Sequence, residues 1–206
     1  MTRAALAVAV AVAACRSPAA APVVALSNQA PPVVDSAAGA VPIAQIRGIA
    51  DAGYPNARRD CRPSIALRRY FAGAVLHPCG SLDYDARNKA RASDMTAVAA
   101  DLEPLLACAE QSIAANRPFI TEQRAAGIDS GGADAIVGVR EHGALAVYVS
   151  DFDDNPCGGG CPEKGQNLIM RCENPRRDRS SDCYTFLQCF HCDTKTVVDL
   201  CVFGKR

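Results

Sequence analysis

The chain has 206 residues, with 22 basic and 22 acidic side chains, so its formal net charge at pH 7 is zero. This balance excludes binding to nucleic acid through overall positive charge, because proteins that bind the phosphate backbone are enriched in Lys and Arg. The length fits one domain with a hydrophobic core, and the eleven cysteines indicate an oxidising compartment.

The first 14 residues predict a secretory signal peptide. Arg3 gives a positive start, and an uncharged apolar run extends from Ala4 to Ala14. A helix that crosses a bilayer needs about 20 such residues, whereas the apolar region of a signal peptide is shorter. The chain has no second run of this kind, so we expect no other segment to span a membrane.

The end of this run, Val12-Ala13-Ala14-Cys15, resembles the lipobox of bacterial lipoproteins. The resemblance implies cleavage before Cys15, acylation of Cys15 with chains such as palmitate, and a lipid anchor on the extracytoplasmic side of the cell envelope. Arg16 favours the outer membrane over the inner one. The alternative is ordinary cleavage after Ala13, which would release a secreted soluble protein with Cys15 as an odd thiol.

Residues 15–42 are rich in alanine and proline and poor in large apolar side chains. Such a composition cannot bury enough surface to fold by itself, and it predicts an extended tether. A tether between membrane and folded body is what a lipoprotein requires. The folded domain is therefore expected to comprise residues 43–206.

Helices are expected first in this domain. Residues 43–49 and Ile65 to Val75 predict two short helices, and Cys61 and Cys79 on either side of the second suggest a disulfide between them. A longer helix is predicted over residues 93–116, because apolar side chains recur there at steps of three and four.

The boundaries and the interior of this longer helix carry specific signals. Ser93 or Asp94 is a suitable cap for its first turn. Pro104 lacks a backbone N–H and crowds the preceding turn, so it should either kink the helix or divide it in two.

The second half of the domain predicts strands. Runs rich in β-branched and aromatic residues alternate with turns that contain glycine, a pattern typical of an antiparallel meander. The predicted strands are residues 119–124, 135–140, 144–149, 167–172, 184–190 and 196–203. We therefore expect an α+β fold in which N-terminal helices pack on one face of an antiparallel meander sheet, with disulfides stabilising it.

Ten cysteines remain when Cys15 is set aside, and in an exported chain an even number of this size predicts five disulfides. A zinc site from Cys157, Cys161, Cys189 and Cys192, with His191 nearby, is the less favoured alternative. We assign no metal and no cofactor. The predicted disulfide cysteines are Cys61, Cys79, Cys108, Cys157, Cys161, Cys172, Cys183, Cys189, Cys192 and Cys201.

Candidate catalytic groups do not converge in the sequence. Residues 129–132 (DSGG) resemble the nucleophile motif of chymotrypsin-like serine proteases, but His77 is too near in sequence for that architecture and no orienting acid is apparent. Ser130 is therefore interpreted as a turn residue. The acidic stretch Asp151 to Asn155 lacks the spacing of a calcium loop and is interpreted as a solvated turn.

Residues 134–138 (DAIVG) resemble the Q-x-V-x-G hairpin of cystatin-like protease inhibitors, without its glutamine. The resemblance implies an inhibitor as one alternative function. A secreted enzyme is a second alternative. The favoured hypothesis is a membrane-anchored, non-enzymatic binding or structural module with a protein partner in the cell envelope.

Overall fold

The computed structural model of the chain describes residues 39–46, 61–84, 94–126, 131–154, 165–179 and 183–203. These ranges form a mixed α/β fold dominated by one large sheet. None of the helices within them is long and apolar enough to span a bilayer. The elements are β1 (Val41–Pro42), a 3-10 turn (Ile43–Gln45), α1 (Pro63–Tyr70), β2 (Val75–Tyr84), α2 (Met95–Ala114), β3 (Phe119–Ala126), β4 (Gly131–Glu141), β5 (Ala144–Asp153), β6 (Gly165–Glu173), β7 (Arg176–Arg177), α3 (Phe186–Cys189), β8 (Phe190–His191) and β9 (Thr194–Phe203).

The main sheet has seven strands in the order β1-β2-β3-β4-β5-β6-β9. Strands β2 and β3 are parallel, because α2 carries the chain between them, and the other neighbours are antiparallel. Strands β3 to β6 follow one another as a meander, and β7 and β8 form a separate pair. The predicted antiparallel meander is confirmed for β3 to β6, and the parallel pair of β2 and β3 departs from the prediction.

Helices pack against both faces of this sheet, so the predicted packing on one face is not confirmed. Leu102 and Leu106 of α2 share a core with Ile136 of β4, whereas Leu67 of α1 shares a second core with Val137 of the same strand. Successive side chains of a strand point to opposite faces. The sheet therefore has an α1 side and an α2 side, each with its own core.

The long predicted helix is confirmed as α2, and its cap is Asp94. The Asp94 carboxylate accepts the backbone N–H groups of Thr96 and Ala97, both at 3.1 Å. Pro104 does not divide the helix. It lies on the exposed face, where water can satisfy the carbonyl freed in the preceding turn, while the buried face of both halves packs on the sheet.

The structure differs from the predictions of the short helices and of the strand over residues 184–190. The predicted strand over residues 184–190 contains α3, where the hydroxyl of Thr185 accepts the N–H of Gln188 at 3.3 Å. The predicted helix from Ile65 ends at Tyr70, and its last residue instead begins β2, a strand that the sequence did not predict. Of the first predicted helix, residues 43–45 form a 3-10 turn and residues 47–49 lie outside the described residues.

Three disulfides connect the described elements: Cys61–Cys201, Cys79–Cys108 and Cys172–Cys192. The predicted bridge between Cys61 and Cys79 is therefore wrong. Cys79 belongs to the core on the α2 side, whereas Cys61 packs with Phe152 and Phe203 on the α1 side, so the sheet separates the two sulfurs.

Two further cysteines, Cys183 and Cys189, are buried as thiols, and the disulfides predicted for them are not confirmed. Cys157 and Cys161 lie outside the described residues.

Candidate binding face

Apolar side chains are exposed where the α2 side of the sheet reaches its edge at β9. Val197, Leu200 and Val202 expose 52%, 53% and 42% of their surface. In the adjacent strand β6, Met170 lies opposite Val197 and Leu168 lies opposite Leu200, and both are partly exposed. Together they form a continuous apolar strip across two strands, and contiguous patches of this kind mark interaction sites.

Carboxylates follow this strip on the next strand, β5. Asp151 lies opposite Leu168, and Asp153 lies opposite Gln166. Because side chains at every second position share a face, these carboxylates point to the same side as the apolar strip. We call the set Asp151, Asp153, Leu168, Met170, Val197, Leu200 and Val202 the open face.

The carboxylates are electrostatically coupled. Asp134 of β4 lies opposite Asp151, and burial together with the charge of Asp151 raises the pKa of Asp134 to about 7. Burial and the neighbouring charge of Asp153 likewise raise the pKa of Asp151. The charge of Lys195 on β9 already offsets part of this repulsion, and a further positive charge from a ligand would offset more, so the acidic half of the open face favours a cationic ligand.

The outer edge of β9 is less suited to binding than its face. A bulge between Ile169 and Met170 shifts the register of β6 against β9, and Lys195 is exposed near the start of the edge strand. Bulges and edge lysines are devices by which proteins prevent uncontrolled strand pairing. A partner is therefore expected to pack on the side chains of the open face.

A cleft of about 460 Å³ lies on the α1 side, between the short strand β1 and the strands β2 and β3. Its described lining is mainly apolar and includes Ile46, Pro78 and Ile120, with Ser81 and the buried carboxylate of Glu122. This volume is within the range of small-ligand sites. Ser81 and Glu122 are register partners on β2 and β3, but a hydroxyl beside a carboxylate is not by itself a catalytic site.

A smaller pocket of about 240 Å³ lies between α2 and the segment around α3. Cys183 and Cys189 line it together with Arg177, whose guanidinium bonds to the carboxylate of Glu103. Beside it, Nε2 of His191 lies 3.0 Å from the Asp178 carboxylate. Burial raises the pKa of the Cys189 thiol, which opposes a role as a resting thiolate nucleophile.

The structure separates most residues that the sequence analysis considered. His77 lies in β2, His142 in the turn after β4 with φ of 51°, and His191 in β8. Asp154 accepts the N–H of Gly131, and in the described ranges no three His, Cys, Asp or Glu side chains cluster closely enough to hold a metal ion. Cys15 and Ser130 lie outside the described residues.

The segment that resembles an inhibitor hairpin lies within a central strand. Residues 134–138 belong to β4, between β3 and β5, and Ala135, Ile136 and Val137 are buried. Gly138 has a packing role, because a Cβ there would lie 2.5 Å from the Phe119 ring. The inhibitor alternative therefore loses the exposed hairpin on which it rested.

The open face could not be predicted from the sequence, although parts of it are visible there. The strand with Leu200 and Val202 was predicted. The interpretation of residues 151–155 as a solvated turn is wrong for Asp151 and Asp153, because β5 continues to Asp153 with Phe152 buried between them. The sequence could not show which strands are neighbours, and the face exists through that pairing.

No protein-family model matches the chain, and neither a curated protein nor a solved structure matches it.

Proposed function

We propose that the chain is a membrane-anchored, extracytoplasmic binding module whose open face binds a partner protein. Lipid on Cys15 holds it to the envelope. The tether that displays the folded domain away from the bilayer is shorter than the predicted residues 15–42, because Val41 and Pro42 pair with β2 as strand β1. Three disulfides support this location, because such bonds persist in oxidising compartments. Outer-membrane attachment is the favoured form of the anchor.

The observation that carries the binding function is the exposure of the apolar strip on β6 and β9. Fully burying a Val or Leu side chain contributes about 1.5–3 kcal/mol. Val197, Leu200 and Val202 are each about half exposed, so a partner that covers them gains roughly 1 kcal/mol from each. A monomer has no structural need to expose these three side chains together.

The chemistry of the open face defines its partner as a basic amphipathic protein segment. Apolar side chains of the partner would cover the strip at Leu200, and Lys or Arg side chains would reach Asp151 and Asp153. An anionic lipid surface fits less well, because the carboxylates would be repelled by its headgroups. The face therefore favours a protein over the membrane beneath it.

Binding of such a segment should be coupled to proton release. A cation beside Asp134 and Asp151 lowers their raised pKa values, so the complex holds fewer protons than the free protein. By linkage, affinity rises with pH as these groups ionise and falls when they are protonated.

A pair of synthetic peptides tests this function on the full chain. One is a helical peptide with leucine on one face and lysine on the other, and the matched control has glutamate in place of lysine. We expect tighter binding of the lysine peptide, loss of binding in Leu200→Asp, and little change in Thr196→Asp on the opposite face of β9. Equal binding of both peptides, or equal effects of both substitutions, would overturn the proposal.

A further inference from the structure

Cys183 and Cys189 form a second chemical centre, separate from the open face. Both are buried, with 8% and 0% exposure, and their thiols hydrogen-bond to each other in the pocket beside α2. The backbone of Asp178 contacts both cysteines. Its carbonyl oxygen lies 3.8 Å from Sγ of Cys183, and its N–H donates to the Cys189 carbonyl at 2.8 Å.

The spacing of this pair differs from that of the three disulfides. Cys61–Cys201, Cys79–Cys108 and Cys172–Cys192 span sequence separations of 140, 29 and 20. Cys183 and Cys189 bracket a single short turn of chain that contains α3. A bond that closes a short loop restricts the unfolded chain least, so the fold resists its reduction least.

The pocket gives a small molecule a place beside the two cysteines, and Arg177 places a positive charge near their sulfurs. Both cysteines line the pocket, and Cys183 is the more exposed of the two residues. Arg177 lies in the same lining with its side chain 10% exposed, and its Nε has no hydrogen-bond partner among the described residues. This guanidinium is positioned to stabilise a transient thiolate at Cys189, against the effect of burial.

We propose that Cys183 and Cys189 are a redox pair that closes reversibly to a disulfide by exchange with a small-molecule disulfide. The Cys183 thiolate attacks one sulfur of the reagent, forms a mixed disulfide and releases one thiolate. The Cys189 thiolate then attacks the Cys183 sulfur and releases the second. The two cysteine protons pass to the released thiolates, so two S–H bonds are replaced by one S–S bond while the reagent is reduced to two thiols.

Oxidised and reduced glutathione are suitable probes. The folded full chain is equilibrated at graded ratios of the two, quenched with acid and alkylated, and its cysteine peptides are mapped by mass. We expect the bond between Cys183 and Cys189 to form with oxidised glutathione and to open first as the buffer becomes reducing, while the three described bridges remain closed.

Single substitutions distinguish Cys183, which attacks the reagent, from Cys189, which resolves the mixed disulfide. Cys189→Ser should trap glutathione on Cys183, whereas Cys183→Ser should leave the fully buried Cys189 unmodified. If either variant fails to fold, the mass mapping of cysteine peptides from the unsubstituted chain tests the proposal by itself. Persistent thiols in oxidised glutathione, a bond from either cysteine to Cys157 or Cys161, or opening together with the other bridges would overturn the proposal.

Discussion

Removal of the Cys61–Cys201 disulfide should cost more stability than removal of any other described bridge. This bond joins Cys61, two residues before the start of α1, to the edge strand β9 across a sequence separation of 140. In the chain-entropy model a closed loop of that length contributes about 5 kcal/mol, whereas the separation of 20 at Cys172–Cys192 corresponds to about 3.3 kcal/mol. The expected difference is therefore about 1.7 kcal/mol.

Packing around the sulfurs makes this bond a favourable case for the calculation. Cys61 is fully buried with Phe152 and Phe203, whose rings stack with centroids 5.7 Å apart. The Asn167 side chain donates a 2.9 Å hydrogen bond to the Cys61 carbonyl. Serine at both sulfur positions leaves this surrounding structure in place, so the loss should mainly reflect the unfolded chain.

Urea unfolding measures the effect. The double variant Cys61→Ser with Cys201→Ser is compared with the matched double variant Cys172→Ser with Cys192→Ser, and the midpoint and slope of each transition are recorded. We expect the larger loss of unfolding free energy in the first variant. An equal loss, or a larger one in the second, would refute the reasoning from loop length.

Three further predictions concern separate parts of the chain. Cys15→Ala should move the native protein from the detergent phase to the aqueous phase, and equal partition of both forms would contradict the anchor. The pKa of Asp134 is raised from 3.8 to about 7, so the folded state retains a proton that the unfolded chain has lost, and stability should fall as the pH rises between these values. Asp134→Asn should reduce this decrease in unfolding free energy, measured by urea titrations at about pH 5 and about pH 8. If the decrease is unchanged in the variant, other groups cause it. Gly138→Ala should lower thermal stability by roughly 1–3 kcal/mol, because its Cβ would clash with the Phe119 ring, and unaltered stability would show that the ring can move.

The sequence predicts the elements whose signals are local. The apolar stripe and the Asp94 cap define α2, and alternating or continuous apolar runs define most strands of the meander. These signals depend on neighbours within a few residues, which a sequence displays directly.

The elements that the sequence did not predict depend on distant partners. β2 contains Pro78 and Gly80, which weaken any strand pattern, yet it pairs with β3 through a bulge that directs Cys79 toward Cys108. In α3, the buried Gln123 side chain donates to the Tyr184 carbonyl at 3.0 Å and accepts the Phe186 N–H at 3.1 Å. These tertiary bonds hold an apolar run, which reads as a strand, in a helical turn.

The open face illustrates the same limit for function. Its apolar residues and its carboxylates are separated by long stretches of sequence, and register alone places Asp151 beside Leu168 and Leu168 beside Leu200. The proposed chemistry of the partner follows from this arrangement of a carboxylate beside two leucines. It could not follow from composition, because the net charge of the chain is zero.

Photo-crosslinking in the native envelope tests the central claim most directly. A photoreactive amino acid is placed at Leu200 on the open face and, in a matched variant, at Thr196 on the opposite face of the same strand. We predict that the Leu200 position forms an adduct with a distinct protein, that the crosslinked segment carries lysine or arginine among apolar residues, and that the Thr196 position does not form this adduct. Equal adducts at both positions, or crosslinks at Leu200 to lipid or to a second copy of the chain, would contradict the account.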